Sequence, residues 1–257
     1  MTTRSARAAQ CALALSPHLD DAAFSCGGTL ALLARAGWEV TIATAFTRSV
    51  PAPGGFALAC QLDKGLPAEV DYMALRRAED AAACKALGAR PLWLDFAEAP
   101  HRGYDDAQAL FAPPRPEDTT LAPLAQALAA LLAMSPALVL APQAVGGHVD
   151  HVLLVQALRR VLPARMPVLW WTDFPYAARP GSHPARPFAA EMAGLPECIV
   201  AGDAPARLAA CAAYTTQIGF QFGGMAGLAT MLAAAGPAER LREQGRTAPI
   251  GLSLALT

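Results

Sequence analysis

The sequence has few charged residues and no long hydrophobic run. Only 16% of its 257 residues are charged and 54% are hydrophobic, which excludes an intrinsically disordered chain. No uninterrupted apolar stretch approaches the ~20 residues of a membrane-spanning helix, so we expect no membrane association. The 20 Lys and Arg residues nearly cancel the 21 Asp and Glu residues and are dispersed. Nucleic-acid phosphates are bound by clustered cations, so we expect no nucleic-acid partner.

Paired cysteines and an export signal are also missing. The six cysteines show neither a Cys-x-x-Cys motif nor the spacing of a disulfide framework. We therefore interpret them as small buried residues in a reducing compartment. Arg4 and Arg7 precede an apolar run at 11–15, but that run is shorter than the core of a signal peptide. The sequence thus predicts a cytoplasmic protein.

Apolar runs alternate with segments of helical spacing, and no repeat or low-complexity linker divides the chain. We therefore predict a single domain covering 1–257, with its core at about 11–220. The predicted strands lie at about 11–16, 39–46, 91–96, 137–141, 168–172 and 197–200. The predicted helices lie at about 22–35, 73–87, 121–133, 150–161 and 204–216. This alternation indicates an α/β fold, a Rossmann-like doubly wound sandwich with a mostly parallel sheet.

Two irregular segments interrupt the alternation, at 48–70 and 100–118. Long loops inside a compact domain are usually functional, so we expect both to shape a pocket. The pair Gly27-Gly28 lies inside the first predicted helix without the flanking pattern of a phosphate-binding loop. We assign it to close packing of that helix on the sheet.

The first chemically informative segment is His18-Leu19-Asp20-Asp21, between the first strand and the first helix. Ligands of open α/β sheets gather at the carboxyl ends of the strands. A tight turn there can aim His18 and Asp21, three residues apart, at one point, and leaves Asp20 as a nearby free carboxylate. The alternative is that the acidic pair only caps the helix, where Asp is favoured.

The second segment is Gly147-His148-Val149-Asp150-His151, after the strand at 137–141. His148 and His151 share one face if the first helical turn begins here. The alternative is that they are two polar residues that merely open a helix. The chain has only five histidines, and three of them fall at these two junctions, whereas His101 and His183 lie in loops and read as surface residues.

Two histidines and one carboxylate, with an open position for water, form a common catalytic zinc site. Zinc makes hydroxide available near neutral pH. A second carboxylate can then accept the proton of water, and a donor side chain can stabilise the oxyanion. The two segments together supply every group needed for hydrolysis of an amide.

The same residues resemble a known family. Ser-Pro-His-Leu-Asp-Asp-Ala at 16–22 resembles the opening motif of the PIG-L / LmbE-like N-acetylglucosaminyl deacetylases, and Gly-His-Val-Asp-His at 147–151 resembles their distal histidine motif. The stretch 76–88 is similar to their Arg/Glu helix, and 173–176 and 214–217 are weaker matches. The resemblance implies a zinc-dependent deacetylase with a Rossmann-like fold.

The family's residue roles carry over by position, and the resemblance implies the following set. The Zn²⁺ ligands are His18, Asp21 and His151, the general base is Asp20, and the histidine that stabilises the tetrahedral intermediate or protonates the amine is His148. Outside this set, we expect Asp150 to orient a histidine, and Arg76, which matches a position that contacts substrate in relatives, to bind substrate. We add Asp95, at the end of its strand, as a second residue that lines the pocket. The alternative for Arg76, Arg77, Glu79 and Asp80 is the solvated face of a helix.

One departure from the family concerns its commoner His-Pro-Asp-Asp-Glu motif. Here Leu19 replaces Pro and Ala22 replaces Glu. Neither position is a metal ligand in the family, so we expect the metal site to be retained and the chain to belong to a divergent subgroup.

The predicted function is hydrolysis of an N-acyl group on a small amino-sugar compound or glycoside, and the resemblance implies that the acyl group is acetyl. The alternatives are an amidase acting on a thiol-sugar conjugate, a non-catalytic metal- or sugar-binding relative, and a ferrous oxygenase with two histidines and one carboxylate. The oxygenase is disfavoured because it would accompany a β-rich jelly roll. A homo-oligomer is left open.

Overall fold

A computed structural model describes residues 10–179 and 184–245. Its strands are β1 (Cys11–Ser16), β2 (Glu39–Thr44), β3 (Arg90–Trp93), β4 (Leu138–Pro142), β5 (Val168–Trp171), β6 (Glu197–Ala201) and β7 (Ala238–Gln244). Its helices are α1 (Asp21–Arg35), α2 (Gly55–Leu62), α3 (Tyr72–Leu87), α4 (Leu121–Leu132), α5 (Val149–Val161), α6 (Ala189–Ala193), α7 (Ala204–Ala212), α8 (Thr215–Phe222) and α9 (Met225–Ala235). His183 lies outside the described residues.

The strands form one sheet in the order β3-β2-β1-β4-β5-β7-β6. The first five in this order run parallel, and β7 runs antiparallel to both β5 and β6. The chain leaves β1 toward β2 and β3 on one side and later fills the other side with β4 and β5. The predicted α/β class with a mostly parallel sheet is therefore confirmed, and the order reverses between β1 and β4, where such folds bind ligands.

The core consists of two apolar layers, one on each face of this sheet. Alternating residues of β1 enter different layers, because side chains in a strand point to opposite faces. Ala12 and Ala14 pack with α1, α3 and α7, whereas Leu13 and Leu15 pack with α4 and α5. With both faces covered, β1 is buried along nearly its whole length, and so its carboxyl end has a rigid position.

The main differences from the sequence prediction lie in the irregular and C-terminal regions. The segment at 48–70 contains α2, and the predicted helix at 204–216 is two helices, α7 and α8. Tyr214, which lies between them, is buried and donates a hydrogen bond to Asp80 (2.8 Å). This tertiary contact fixes the break between α7 and α8, which the spacing of apolar residues in the sequence does not indicate.

Helix α1 changes direction at Cys26, whose φ of −141° is not helical. The freed backbone N–H groups of Gly28 and Thr29 donate to the carboxylate of Glu239 on β7, at 2.8 and 2.7 Å. A Cβ atom on Gly28 would lie 2.8 Å from the backbone nitrogen of Asp203. The predicted close packing at Gly28 is therefore confirmed, although its partners are β7 and the turn after β6.

Within the described ranges, no single helix is long and apolar enough to cross a membrane. Helices α8 and α9 reach that length and composition only as a pair, and they are bent by 71° relative to each other.

Candidate active site

The first part of the site is the turn between β1 and α1. Ser16 Oγ accepts from the backbone N–H of Ala22 (3.1 Å) and donates to the carbonyl of His18 (2.6 Å), which closes the turn. Asp21 Oδ2 accepts from the backbone N–H of His18 (2.8 Å) and lies 3.3 Å from His18 Nδ1. The two side chains therefore face one point, as their spacing predicts. The capping alternative fails for Asp20, because its side chain makes no capping hydrogen bond to α1.

The second part is the turn between β4 and α5. Gly146 and Gly147 have φ angles of 103° and 76°, which are open to glycine and strained for other residues. His148 is the N-cap of α5, and its Nδ1 accepts from the backbone N–H of Asp150 (3.2 Å). His148 therefore does cap a helix through Nδ1, as the alternative interpretation holds. Its ring nevertheless lies against His18 in the turn between β1 and α1.

The two turns bring three imidazole rings together. The ring centroid of His18 lies 4.9 Å from that of His148 and 5.3 Å from that of His151. One nitrogen from each ring lies within 4.8 Å of the others. Asp21 Oδ2 is 3.2 Å from His151 Nε2, so a carboxylate oxygen lies between His18 and His151. We call His18, Asp20, Asp21, His148 and His151 the floor cluster.

Two carboxylates outside the floor cluster hold the histidine rings. His18 Nε2 donates to Asp150 (2.9 Å) and His151 Nδ1 donates to Asp173 (2.8 Å). Because an ionised carboxylate only accepts, these contacts place protons on the outward nitrogens. When the rings are neutral, the inward nitrogens, His18 Nδ1 and His151 Nε2, therefore keep their lone pairs. The predicted contact of Asp150 with a histidine is therefore present.

Asp150 is itself held in place by further hydrogen bonds. Arg102 donates to Asp150 Oδ1 (2.7 Å) and to Asp118 (3.1 Å), and the backbone N–H of Ala99 donates to Asp150 Oδ2 (3.1 Å). Burial alone would raise the pKa of Asp150, but the His18 and Arg102 partners outweigh it and lower the pKa far below its ordinary value. Asp150 is thus a fixed anion that orients His18.

Burial and the carboxylates act in opposite directions on the inward-facing histidines. Burial disfavours protonation of His151, yet Asp21 and Asp173 outweigh it and raise its pKa to about 9. Burial likewise opposes protonation of His18, and its contacts with Asp150 and Asp21 raise its pKa well above the ordinary value. Asp21, Asp150 and Asp173 therefore stabilise a positive charge between His18 and His151.

His148 behaves differently. Burial, helped by the neighbouring His18, lowers its pKa to about 3, so its ring is neutral near pH 7. Its Nδ1 already accepts a hydrogen bond, which leaves the proton on Nε2. His148 thus presents a donor N–H to the cluster, while a ligand would need a free lone pair there.

Asp20 is buried beside the cluster. Its Oδ1 accepts from Arg76 (3.3 Å) and its Oδ2 accepts from Gln221 on α8 (3.0 Å). Burial raises the pKa of Asp20, and the adjacent Arg76 only partly offsets that rise. A higher basicity suits a group that accepts a proton from water. Arg76 also donates to Glu98, so one guanidinium joins two carboxylates.

Four members of the floor cluster, His18, Asp20, Asp21 and His148, line a cavity of about 400 Å³, and His151 is fully buried beside them. The cavity is lined by Arg76 and Glu98, as well as by parts of both irregular segments. His101, expected at the surface, is half-buried and lines the cavity. The prediction for Asp95 is wrong: its side chain is 80% exposed, pairs with Arg48 (3.2 Å) and does not line the cavity. The chain turns after β3 and carries Asp95 to the surface.

The solvated-face alternative for the Arg76 helix is also wrong. Asp80 is buried and accepts hydrogen bonds from Trp93 (2.7 Å) and Tyr214. Glu79 accepts from the backbone and side chain of Thr216, at the start of α8. Both acidic residues hold neighbouring elements in place, so this face of α3 is an interface.

Three site residues were missed by sequence reasoning. Asp173 follows β5, the neighbour of β4, so the strand-end rule that singles out His18 would also have found it. Glu98 follows β3 and shares that signal. Gln221 has no such signal, because it reaches Asp20 from an α8 that the sequence did not delimit.

The donor set fits Zn²⁺. Zinc is held by histidine nitrogens and carboxylate oxygens, and His18 Nδ1, His151 Nε2 and Asp21 Oδ2 meet at one point. His151 Nε2 is buried and makes no hydrogen bond with any described residue. Asp21 Oδ2 lies 3.2 Å from it, but not in hydrogen-bond geometry. A buried nitrogen without a proton partner is suited to a cation.

Known proteins share this sequence and fold. The chain is 38% identical to 2'-N-acetylparomamine deacetylase of Streptomyces fradiae over 171 residues, which are 65% of this chain and 58% of that protein. It is 29% identical to the solved A40926 pseudoaglycone deacetylase Dbv21, with a TM-score of 0.72 over 90% of this chain and 95% of that one.

Teicoplanin deacetylase Orf2, solved in a zinc-inhibited form, shares the fold at 23% identity, with a TM-score of 0.76 over 91% of this chain and 97% of that one. The family described as PIG-L, GlcNAc-PI de-N-acetylase, matches residues 13–162. That match contains both histidine motifs and more than half of the chain. The protein therefore belongs to the PIG-L family, as the resemblance of those motifs predicted.

Proposed function

We propose that this protein is a zinc-dependent hydrolase that removes the N-acetyl group from an amino-sugar compound. The observation that carries the proposal is the convergence of His18, Asp21 and His151 beside a separate buried carboxylate, Asp20, at the floor of a cavity. Membership of the PIG-L family and similarity to deacetylases support the same reaction. Substrate binding by Arg76 and a cytoplasmic location stay predictions.

We assign the metal ligands to His18 Nδ1, Asp21 and His151 Nε2. Bound Zn²⁺ supplies a Lewis acid that polarises an amide carbonyl and acidifies water. Asp150 and Asp173 keep the ligand rings oriented by accepting from their outer nitrogens. His148 is not assigned as a ligand, because its free nitrogen carries a proton.

The remaining residues divide the chemistry between them. Asp20 takes a proton from the attacking water as oxygen adds to the carbonyl carbon. His148 Nε2–H donates to the oxygen that becomes negative in the tetrahedral state. The proton held by Asp20 then passes to the amine nitrogen as the C–N bond breaks. The products are acetate and a free amine, and Asp20 returns to its ionised form.

The test is release of amine and acetate from N-acetylated amino sugars by the zinc-loaded protein. Equal molar yields of both products are expected, together with loss of turnover on zinc removal and recovery on zinc addition. The Asp20→Asn variant is the matched control, since it keeps the shape of the side chain. A zinc-loaded protein that releases no amine from any N-acetylated sugar compound would favour a non-catalytic relative instead.

A further inference from the structure

The carboxylate of Asp20 is held by side chains from two other helices. It makes no capping hydrogen bond to α1, although Asp20 is the N-cap of that helix. Its Oδ1 accepts from Arg76 on α3 (3.3 Å), and its Oδ2 accepts from the amide of Gln221 on α8 (3.0 Å). The torsion that rotates a carboxylate is intrinsically loose, and one donor on each oxygen restricts it. The orientation of Asp20 therefore depends on how α3 and α8 are placed.

We propose that Gln221 is a positioning residue for the reaction, because its amide N–H fixes the plane of the Asp20 carboxylate and keeps this base aligned with the attacking water. The inference rests on the proposed function, in which Asp20 accepts the proton of that water. Gln221 acts through Asp20 and takes no part in making or breaking bonds. Misplacement of a catalytic group by about 1 Å can lower a rate by about 10²-fold, so the direction of this one hydrogen bond has a measurable effect.

Arg76 alone does not fix the base. Its guanidinium also donates to Glu98, so its charge is shared between two carboxylates. Its Nε is buried and makes no hydrogen bond within the described ranges, so Asp20 does not receive the bidentate pair that would lock its plane. The bond from Gln221 is also the shorter of the two that reach Asp20. Gln221 therefore supplies the constraint that Arg76 leaves incomplete.

The first turn of α8 is tied to α3, the helix that carries Arg76. Each residue at 214–217 donates a side-chain hydrogen bond to a residue of α3. The acceptors are Asp80 for Tyr214 (2.8 Å), Glu79 for Thr215 (2.6 Å) and Thr216 (2.7 Å), and Tyr72 for Gln217 (2.8 Å). Glu79 also accepts from the backbone N–H of Thr216 (2.7 Å), which has no partner inside the helix. The two helices therefore form one unit, and both donors to Asp20 belong to it.

The other end of α8 is held by aromatic contacts. Phe222, the neighbour of Gln221, packs edge-to-face on Phe24 of α1, with 5.4 Å between ring centroids. It also stacks on Phe174 at 6.0 Å, and Phe174 directly follows Asp173 in the chain. Gln221 thus stands on a helix that is fixed at both ends, and a group on such an element keeps its direction better than one on a loop.

The experiment is a double-mutant cycle between Gln221→Met and Asp20→Asn in the zinc-loaded protein, with 2'-N-acetylparomamine as the substrate. Methionine keeps the length of glutamine and lacks the donor, and the site is only half-buried. In the parent background, Gln221→Met should lower kcat by about 10-fold to 10²-fold, with KM and zinc content near the parent values. In the Asp20→Asn background it should have no further effect, because the group that it positions is already absent.

Gln217→Met is the matched control. It removes an amide from the same helix one turn earlier, but that amide donates to Tyr72 and not to Asp20. Any change in kcat that it causes through α8 should therefore have the same size in both backgrounds. Thermal melting of each variant checks the fold, and a crystal structure of Gln221→Met should show the Asp20 carboxylate rotated.

The outcomes separate this inference from the proposed function. Parent kcat in Gln221→Met, or an equal loss of kcat in both backgrounds, overturns the positioning role and leaves deacetylation standing. A rise in KM with kcat unchanged also overturns it, since that result would make Gln221 a substrate contact. Absence of amine release by the zinc-loaded parent protein, from this substrate and from N-acetylglucosamine, contradicts both proposals.

Discussion

The floor cluster and the rim of the cavity, which we define as residues 49–71 together with Phe220, differ in how their side chains are held. Two histidine rings of the floor cluster have hydrogen-bonded partners on other elements, Asp150 for His18 and Asp173 for His151. At the rim, Phe220 is 60% exposed and contacts Lys64 (4.6 Å). The floor side chains are therefore fixed by buried hydrogen-bond partners, whereas Phe220 at the rim is largely exposed.

This difference suggests that the floor cluster performs catalysis and that the rim contributes to substrate binding. A group held by several buried partners keeps its geometry, which catalysis requires within about 0.5 Å. An exposed rim can change residues at little cost in stability, because surface substitutions usually shift it by less than about 0.5 kcal/mol. Substitutions in the floor cluster should therefore act on metal binding and kcat, and substitutions at the rim on KM.

The largest effect is expected for His151→Ala. His151 is fully buried, and its Nε2 is the one fully buried ring nitrogen of the cluster without a hydrogen-bond partner among the described residues. Its loss should reduce zinc to background and abolish turnover, as measured by metal analysis of the purified protein. Full zinc occupancy in this variant would move the ligand to another residue.

Asp20→Asn should retain zinc and lose about 10²–10⁴-fold in kcat, the usual contribution of a general base. The amide keeps the size of the carboxylate but cannot accept the proton of water. Steady-state kinetics beside zinc analysis checks this pair of results. Turnover at the parent rate would show that Asp20 is not the base.

His148→Asn tests whether His148 is a hydrogen-bond donor or a zinc ligand. Asn is a good N-cap, so α5 keeps its start, but the shorter side chain cannot place a donor where Nε2 lies. We expect kcat to fall about 10²–10³-fold with zinc retained. Zinc loss would instead make His148 a ligand, as the proximity of the three rings allows.

Arg102→Met should weaken zinc binding by about tenfold, the lower end for residues that support a ligand. The change removes the donor that holds Asp150, and with it the orientation of His18. Competition with a chelator measures the affinity. Arg115→Met is the control, because Arg115 lies in the same segment and contacts Tyr104; an equal loss there would mean a general effect on the segment.

Phe220→Ala should have the smallest effect. The ring lines the cavity at its exposed side, where an aromatic contact contributes about 0.5–1.5 kcal/mol. KM should rise a few-fold and kcat should stay near the parent value, as initial-rate kinetics would show. A large fall in kcat would break the separation between floor and rim.

Sequence reasoning was most successful where local pattern and tertiary role coincide. The strands at 11–16 and 138–142 are short apolar runs, and each leads directly into a histidine motif. Because parallel strands end at the same edge of a sheet, the sequence placed both motifs at that edge, and the pairing of β1 with β4 brings His18 and His151 together. The failure at Asp95 has the opposite cause, since the chain after β3 turns to the surface and nothing in its composition signals that turn.

The sequence by itself determined the α/β class, the two histidine turns and the chemistry of the donor set, because strand alternation and side-chain spacing are local properties. Only the tertiary structure decided which carboxylate supports which histidine, that Gln221 reaches Asp20 from α8, and that β7 supplies Glu239 to the break in α1. The last two pairs are separated by some 200 residues along the chain. Their pairing depends on how whole elements pack, which no local pattern encodes.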